Sequence, residues 1–120
     1  MNNKKLGTAF EGELCQLLKK AGFWVHFITP NASGAQPFDI IAVKKGKAYA
    51  IDCKTSAKPT FSRSRLELNQ IMAFALWQAK GNIEPIIAVK YQNTIYFVPY
   101  SKLDDDTSVQ LNEIKWRIEL

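Results

Sequence analysis

The chain has 120 residues, of which 47% are hydrophobic, and a formal net charge of +5. This length predicts one domain, residues 1–120, whose core needs neither disulfides nor a structural metal. The basic excess favours an acidic partner such as nucleic acid. Cys15 and Cys53 are the two cysteines, and neither lies in a C-x-x-C pair, which argues against a zinc site. With no signal core and no apolar run of about 18 residues, we expect a soluble, cytoplasmic protein without membrane contact.

Residues 4–21 predict a first helix that ends at Gly22. Its apolar stripe consists of Leu6, Phe10, Leu14, Leu17, Leu18 and Ala21. Glu11 and Glu13 flank this stripe on opposite sides, so we expect only one of them to approach a site beside it. Glu11 is the better candidate, and a solvated position is the common alternative for each.

Residues 23–29 are rich in β-branched and aromatic side chains and predict a buried strand that contains His26, the single histidine. A lone histidine on a strand is more often packed than catalytic. The following loop, residues 30–36, is small and polar and leads directly into Asp39. It is therefore a candidate lip for a site there, with Ser33 as a candidate DNA contact.

Residues 37–54 predict a β-hairpin, with strands at 38–43 and 48–53 and a turn at 44–47 in which Gly46 supplies positive φ. Side chains alternate between the two faces of a strand. Tyr49, Ile51 and Cys53 therefore share a bulky face, whereas Asp52 and Lys54 lie on the face of small residues. Asp39 lies beside Asp52 if the hairpin closes in that register.

Two adjacent carboxylates repel each other, and one normally takes up a proton. A divalent cation removes this conflict, and Mg²⁺ prefers carboxylate and water oxygens. Lys54 is then placed to orient a metal-bound water or to offset charge on a phosphate. An ordinary salt bridge at the end of a strand is the common alternative for an isolated Asp-x-Lys.

A basic, hydroxyl-rich connection follows, in which Lys58, Arg63 and Arg65 are candidate phosphate contacts, with a solvated loop as the alternative. Ser64 and Glu67 have the spacing of a capping box and predict a helix over residues 65–80. Gln70 lies within the apolar face of that helix. A buried amide needs hydrogen-bond partners, which the carboxylate site or a local contact would supply.

A second predicted hairpin joins residues 85–91 to 94–100 around Gln92 and Asn93. It carries Tyr91, Tyr96, Phe97 and Tyr100, and Trp116 follows in the tail. Aromatic side chains are enriched in interface cores, although packing within the subunit is the usual fate of any one of them. We interpret the acidic run 104–106 as a solvated helix entry before a short amphipathic tail.

The order of these motifs resembles the PD-(D/E)xK nuclease superfamily, and within it the Holliday junction resolvases of the RecU-like and archaeal Hjc-like types. The motifs are Gly7-x-x-Phe10-Glu11, Pro37-Phe38-Asp39, Asp52-Cys53-Lys54 and Gln70. The resemblance covers residues 7–103. It implies a restriction-endonuclease-like α/β fold, with a mixed central β-sheet flanked by helices.

The resemblance also implies roles for the site residues. Glu11, Asp39 and Asp52 would bind Mg²⁺, with Mn²⁺ as a substitute, and the backbone carbonyl of Cys53 would complete the ligands. Lys54 would orient or activate the attacking water. Gln70 would help to place that water or the scissile phosphate.

We therefore expect a Mg²⁺-dependent, structure-selective endonuclease that resolves four-way DNA junctions as a homodimer. One alternative is another nuclease of this fold that cuts ordinary duplex DNA. A second is a non-catalytic DNA-binding module whose acidic residues are structural. Metal-dependent strand cleavage separates the enzymes from the module, and competition between junction and duplex separates the two enzymes.

Overall fold

The computed structural model describes residues 3–29 and 36–120, with side chains described from residue 9 onward. Within these ranges, two α-helices and eight β-strands follow one another. They are α1 (Asn3–Lys20), β1 (Trp24–Phe27), β2 (Ile40–Lys44), β3 (Lys47–Ser56), β4 (Thr60–Phe61), α2 (Leu68–Ala79), β5 (Ile86–Tyr91), β6 (Thr94–Pro99), β7 (Val109–Gln110) and β8 (Arg117–Glu119). Within the described residues, no helix combines the length and apolar character needed to cross a membrane.

Six strands form the central sheet in the order β1-β2-β3-β5-β6-β8, while β4 and β7 pair separately. All pairs in the central sheet are antiparallel except β3 and β5, which run parallel. Parallel neighbours need a long crossover, and the chain between β3 and β5 supplies it through α2. The mixed sheet expected from the sequence is therefore present.

The predicted hairpin is formed by β2 and β3. Ile40 pairs with Ile51, and Lys44 pairs with Lys47, which leaves a two-residue turn. Both turn residues have positive φ, 53° at Lys45 and 77° at Gly46. This is the turn geometry whose twist matches that of the flanking strands. The second predicted hairpin is present as β5 and β6, with Gln92 at a φ of 53°.

A hydrophobic core lies on each face of the sheet. On one face, α1 buries Phe10, Leu14 and Leu18 against residues that include Ile51 and Phe97. On the other face, α2 contributes Phe74 to a core that also contains Ala50, Ile87 and Val98. Because both faces of β3 are covered, Asp52 lies inside the protein, although the alternation of the strand alone placed it on a small-residue face.

Three expectations about local structure are wrong. β1 is an edge strand, and Trp24 is 62% exposed rather than buried. Glu67 is the N-cap of α2 and forms a capping box with Gln70, while residues 63–65 form a 3-10 turn before the helix. The tail forms β7, a 3-10 turn and β8 rather than a helix, because β8 completes the edge of the sheet beside β6.

Candidate active site

The β2–β3 register places Asp39 opposite Asp52, one step beyond the Ile40–Ile51 pair. The backbone of Asp39 is held on both sides: its N–H donates to the carbonyl of Ile51 at 3.1 Å, and its carbonyl accepts from Ile28 at 2.8 Å. Its side-chain Oδ2 accepts the N–H of Cys53 at 2.7 Å. These three bonds fix the carboxylate at the sheet edge before any ligand binds.

Asp52 is fully buried and only partly satisfied. Its Oδ1 accepts a hydrogen bond from Gln70 Nε2 at 2.7 Å. Its Oδ2 has no hydrogen-bond partner and lies 3.4 Å from Lys54 Nζ. Burying a charge is costly unless it is paired and hydrogen-bonded. The unsatisfied oxygen therefore marks a position where an additional positive group would stabilise the protein.

The pKa values of the carboxyl groups reflect the same shortage of positive charge. Burial raises the pKa of Asp52 well above its usual range, and the nearby Asp39 raises it further. Burial, followed by the charge of Asp39, raises the pKa of Glu11 to about 7, against the lowering effect of Lys54. The charges of Asp39 and Lys54 therefore both act on Glu11, which extends from α1.

Glu13 lies away from this cluster. Its Oε1 accepts a hydrogen bond from Lys90 Nζ at 2.7 Å, so the two glutamates have different partners. The structure therefore brings Asp39, Asp52 and Lys54 together, with Glu11 within the electrostatic range of Asp39 and Lys54, while Glu13 pairs with Lys90 instead.

Gln70 uses both ends of its amide. Its Nε2 donates to Asp52, while its Oε1 accepts the backbone N–H of Glu67 at 3.1 Å. Gln70 is the third residue of α2, so its side chain caps the helix and holds a site carboxylate at once. Both partners that the sequence left open, the site and a local contact, are therefore present.

The donor set fits a hard divalent cation. Among residues whose positions are described, no three His, Cys, Asp or Glu side chains are grouped closely enough to bind a metal by themselves. Mg²⁺ usually takes one or two carboxylates and keeps several waters, so it does not require such a group. Asp39 and Asp52, with the orphaned Oδ2, match this requirement, and the carbonyl of Cys53 follows Asp52 directly along β3.

The three basic candidates have different surroundings. Lys58 is exposed, and Arg65 donates to the carbonyl of Thr55 at 2.9 Å. Both line a surface groove beside the end of β3, together with hydroxyl side chains such as Ser62. Arg63 instead lies 3.2 Å from Asp105 and stacks over Tyr100. Ser33 lies outside the described residues.

Sequence reasoning missed Asn69, which precedes Gln70 in the first turn of α2. Its Nδ2 donates to the carbonyl of Gln36 at 3.0 Å, at the start of the segment that carries Asp39. Two consecutive side chains of α2 therefore contact the site segments, Asn69 the residues that lead into Asp39 and Gln70 the carboxylate of Asp52 on β3. The sequence would have indicated this role of Asn69 only through a correct prediction of where α2 begins, and the predicted start was wrong by three residues.

Comparisons with known proteins give consistent matches. The family model described as "Archaeal holliday junction resolvase (hjc)" matches residues 2–119. The chain is 32% identical over 92 residues to the crossover junction endodeoxyribonuclease Hjc of Methanocaldococcus jannaschii. This match covers 77% of the present chain and 64% of the relative, so the chain spans somewhat less than two thirds of that relative's length.

Among solved structures, Hjc of Archaeoglobus fulgidus, a Holliday junction resolvase from an archaeal hyperthermophile, superposes with a TM-score of 0.68 at 22% identity. The alignment covers 93% of each chain. A likeness at this identity shows the fold. It confirms the predicted restriction-endonuclease-like architecture, in which a mixed central sheet is flanked by helices.

Proposed function

Because the chain belongs to the archaeal Holliday junction resolvase (hjc) family, we propose that it is a divalent-metal-dependent endodeoxyribonuclease that resolves four-way DNA junctions. The single observation that supports this most strongly is the buried Asp52 carboxylate, which lies near Asp39 and whose Oδ2 has no hydrogen-bond partner. A structural carboxylate of this kind would be satisfied on both oxygens. A metal-binding carboxylate keeps one oxygen available.

We propose Mg²⁺ as the ion, with Mn²⁺ as a substitute. Glu11, Asp39, Asp52 and the backbone carbonyl of Cys53 would hold it. When bound, the ion lowers the pKa of a coordinated water and offsets charge that develops on the phosphate. The Asp39 carboxylate is already oriented by the Cys53 N–H, and the Asp52 carboxylate by the Gln70 amide. This preorganisation reduces the rearrangement that binding of the ion requires.

Lys54 would act on the reacting groups. Its ammonium lies beside the unsatisfied oxygen of Asp52, and its side chain is 17% exposed, so it reaches solvent at the mouth of the site. From there it can orient the attacking water and donate to the scissile phosphate. Gln70 would act mainly through Asp52, because both ends of its amide are already engaged.

Contacts to the DNA backbone would come first from Lys58 and Arg65. Both line the hydroxyl-rich groove beside the end of β3, four and eleven residues along the chain from Lys54. Arg63 is a weaker contact, because Asp105 already neutralises its guanidinium. We retain Ser33 as a proposed contact from the loop that precedes Asp39.

A homodimer is part of this proposal, because a four-way junction has approximate two-fold symmetry and its resolution requires two opposed nicks. Two aromatic side chains of the second hairpin are poor interface candidates, because Phe97 is 1% exposed and Tyr96 is 8% exposed. Phe97 stacks on Trp116, with ring centroids 4.5 Å apart, whereas Trp116 itself is 44% exposed.

The outer face of α2 offers a better interface. Leu68, Met72 and Leu76 follow one another at four-residue spacing and are 72%, 58% and 64% exposed. The helix contains no charged residue. Because surface helices normally carry polar groups on their outer side, this stripe is a candidate site for the same helix of a second copy.

The function is tested by strand cleavage on a four-way junction and on a duplex of matched sequence, with Mg²⁺, with Mn²⁺ and with EDTA. We expect metal-dependent cleavage that prefers the junction. Equal cleavage of the two substrates would favour the duplex nuclease, and binding without cleavage in either metal would favour the non-catalytic module.

Oligomeric state is tested separately by light scattering at micromolar concentration. We expect a dimer mass for the unmodified chain and a monomer mass for Leu76→Glu. Glu113→Gln changes an exposed residue away from α2 and serves as a control that should stay dimeric. A monomer mass of the unmodified chain that persists on junction DNA would contradict the paired-nick mechanism.

A further inference from the structure

Five lysines meet at one corner of the molecule, which we call the lysine corner. They are Lys19 and Lys20 in the last turn of α1 and Lys44, Lys45 and Lys47 in the β2–β3 turn. Lys44 joins the two elements, because its Nζ donates to the carbonyl of Ala21 at the end of α1 and lies over the ring of Phe23. The corner is therefore one continuous surface.

Acidic side chains do not neutralise this corner. The four ion pairs formed within the described ranges involve other cations, namely Lys54, Arg63, Lys90 and Arg117. Lys45 also has a φ of 53°, a conformation in which Asn or Gly is usual. A long cationic side chain therefore occupies a turn position that local conformation does not favour, next to other positive charges. An anionic partner would relieve this repulsion.

A groove runs from the candidate active site towards the corner. One wall is the α1 segment from Glu11 to Lys19, and the other is formed by Val25 and Phe27 of β1. Eight residues of α-helix correspond to about 12 Å. The groove thus begins at a carboxylate of the site and ends at a lysine of the corner.

Gly12 places no side chain in this groove. It lines the groove in the interior of α1, where glycine is among the least favourable residues. A Cβ at this position would meet no atom within 4 Å, so packing inside the protein does not require glycine. Without a side chain at residue 12, the groove stays free for a ligand, whereas a long side chain there would fill it.

We propose that the lysine corner binds the phosphate backbone of a junction arm, which reaches it from the cleavage site along the groove between α1 and β1. This inference rests on the proposed nuclease function and extends it to a second, distal DNA contact. An acidic protein would match the charge of the lysines equally well, but it would not explain why the groove starts at the site of the scissile phosphate. A strand that covers about 12 Å presents roughly three to four phosphates, at about 3.4 Å of helix axis each.

The first test measures junction binding in EDTA by fluorescence anisotropy as a function of salt. The variant Lys45→Asn/Lys47→Gln removes two exposed charges, and asparagine suits the positive φ of residue 45. The control Lys80→Gln/Lys115→Gln removes the same charge from exposed residues outside the corner. We expect the slope of log K against log salt to fall by about 1.8 in the corner variant, from two lost contacts, and to stay nearly unchanged in the control.

Equal changes in the two variants would overturn the proposal, because they would show an effect of net charge alone. An unchanged slope in both variants would also overturn it and would leave the corner to a partner other than DNA. Failure of the nuclease function has a different signature, since the unmodified chain would then not cleave the junction in either metal.

The second test fills the groove. Gly12→Gln projects a side chain into it, whereas Gly12→Ala adds only a methyl group. Both substitutions favour the helix, so both variants should fold. We expect Gly12→Gln to weaken junction binding at least tenfold and Gly12→Ala to change it less than twofold. Unimpaired binding by Gly12→Gln would show that no strand passes through the groove.

Discussion

Replacing Asp52 by Asn should abolish cleavage and, without metal, stabilise the fold. The carboxylate is fully buried, burial and Asp39 raise its pKa, and its Oδ2 lacks a hydrogen bond. The amide has nearly the same shape and carries no charge. Its oxygen can still accept from Gln70, and its NH₂ group can donate to Asp39. The substitution therefore removes the repulsion and keeps the packing.

The expected change in the free energy of unfolding follows from two opposing contributions. Relieving a poorly satisfied buried charge contributes about 1–3 kcal/mol. Losing the attraction of Lys54, which lies 3.4 Å away, costs up to about 1 kcal/mol. The net stabilisation is then about 0–3 kcal/mol, with a central value of about 1.5 kcal/mol. In a domain of this size, it raises the melting temperature by roughly 4 to 8 °C.

Calorimetry at pH 8 in EDTA and in Mg²⁺ measures this effect, and a junction cleavage assay measures activity. We expect the variant to melt above the unmodified protein in EDTA, and the gap to shrink or reverse in Mg²⁺, because only the unmodified site gains from the ion. Cleavage should fall at least about a hundredfold, while DNA binding persists. Asp106→Asn removes the same charge from an exposed loop and should change neither quantity. A variant less stable than the unmodified protein in EDTA would refute the reasoning that Asp52 is held at an energetic cost.

Three further predictions concern other groups. The pKa of Glu11 is raised from 4.5 to about 7, so its protonated form stabilises the metal-free protein. This contribution is complete below pH 4.5 and is lost as the pH rises through 7. The thermal shift caused by Mg²⁺ should therefore be larger at pH 8 than at pH 5.5, where the ion must displace a proton. Lys58→Ala/Arg65→Ala should lower the salt slope of junction binding by about 1.8, whereas Arg63→Ala should change it little, because Asp105 neutralises Arg63. Gly12→Ala should raise the free energy of unfolding by about 0.5–1 kcal/mol, since its Cβ enters open space within a helix.

Each of these has its own control. Glu11→Gln should lose the pH dependence of the metal effect, and equal thermal shifts at both pH values in the unmodified protein would exclude Glu11 as a ligand. For the basic residues, a loss of salt slope per charge from Arg63→Ala equal to that from Lys58→Ala/Arg65→Ala would show that DNA displaces Asp105. For Gly12, denaturant unfolding should show a higher midpoint at an unchanged m-value, and a lower midpoint would reveal a steric clash at that position.

The sequence alone determined the elements whose signals are local. The alternation on both sides of the turn that contains Gly46 predicted the β2–β3 hairpin, while the register that places Asp39 opposite Asp52 was left conditional and comes from the structure. The helical spacing of Phe10 and Leu14 likewise located α1 to within one residue at each end. It made Glu11 a better site candidate than Glu13, but the spacing alone did not decide between them.

Only the tertiary structure decided which surfaces each element meets. Trp24 sits on a strand with core-like composition, yet it is exposed because β1 has a neighbour on one side only. Asp52 is fully buried because α2 crosses over its face of the sheet, and that crossover depends on the parallel pairing of β3 with β5. Pairing partners that are distant in sequence leave no local pattern, so neither fact could be predicted. The cost of burying Asp52, on which the proposed metal site depends, is therefore a property of the assembled fold.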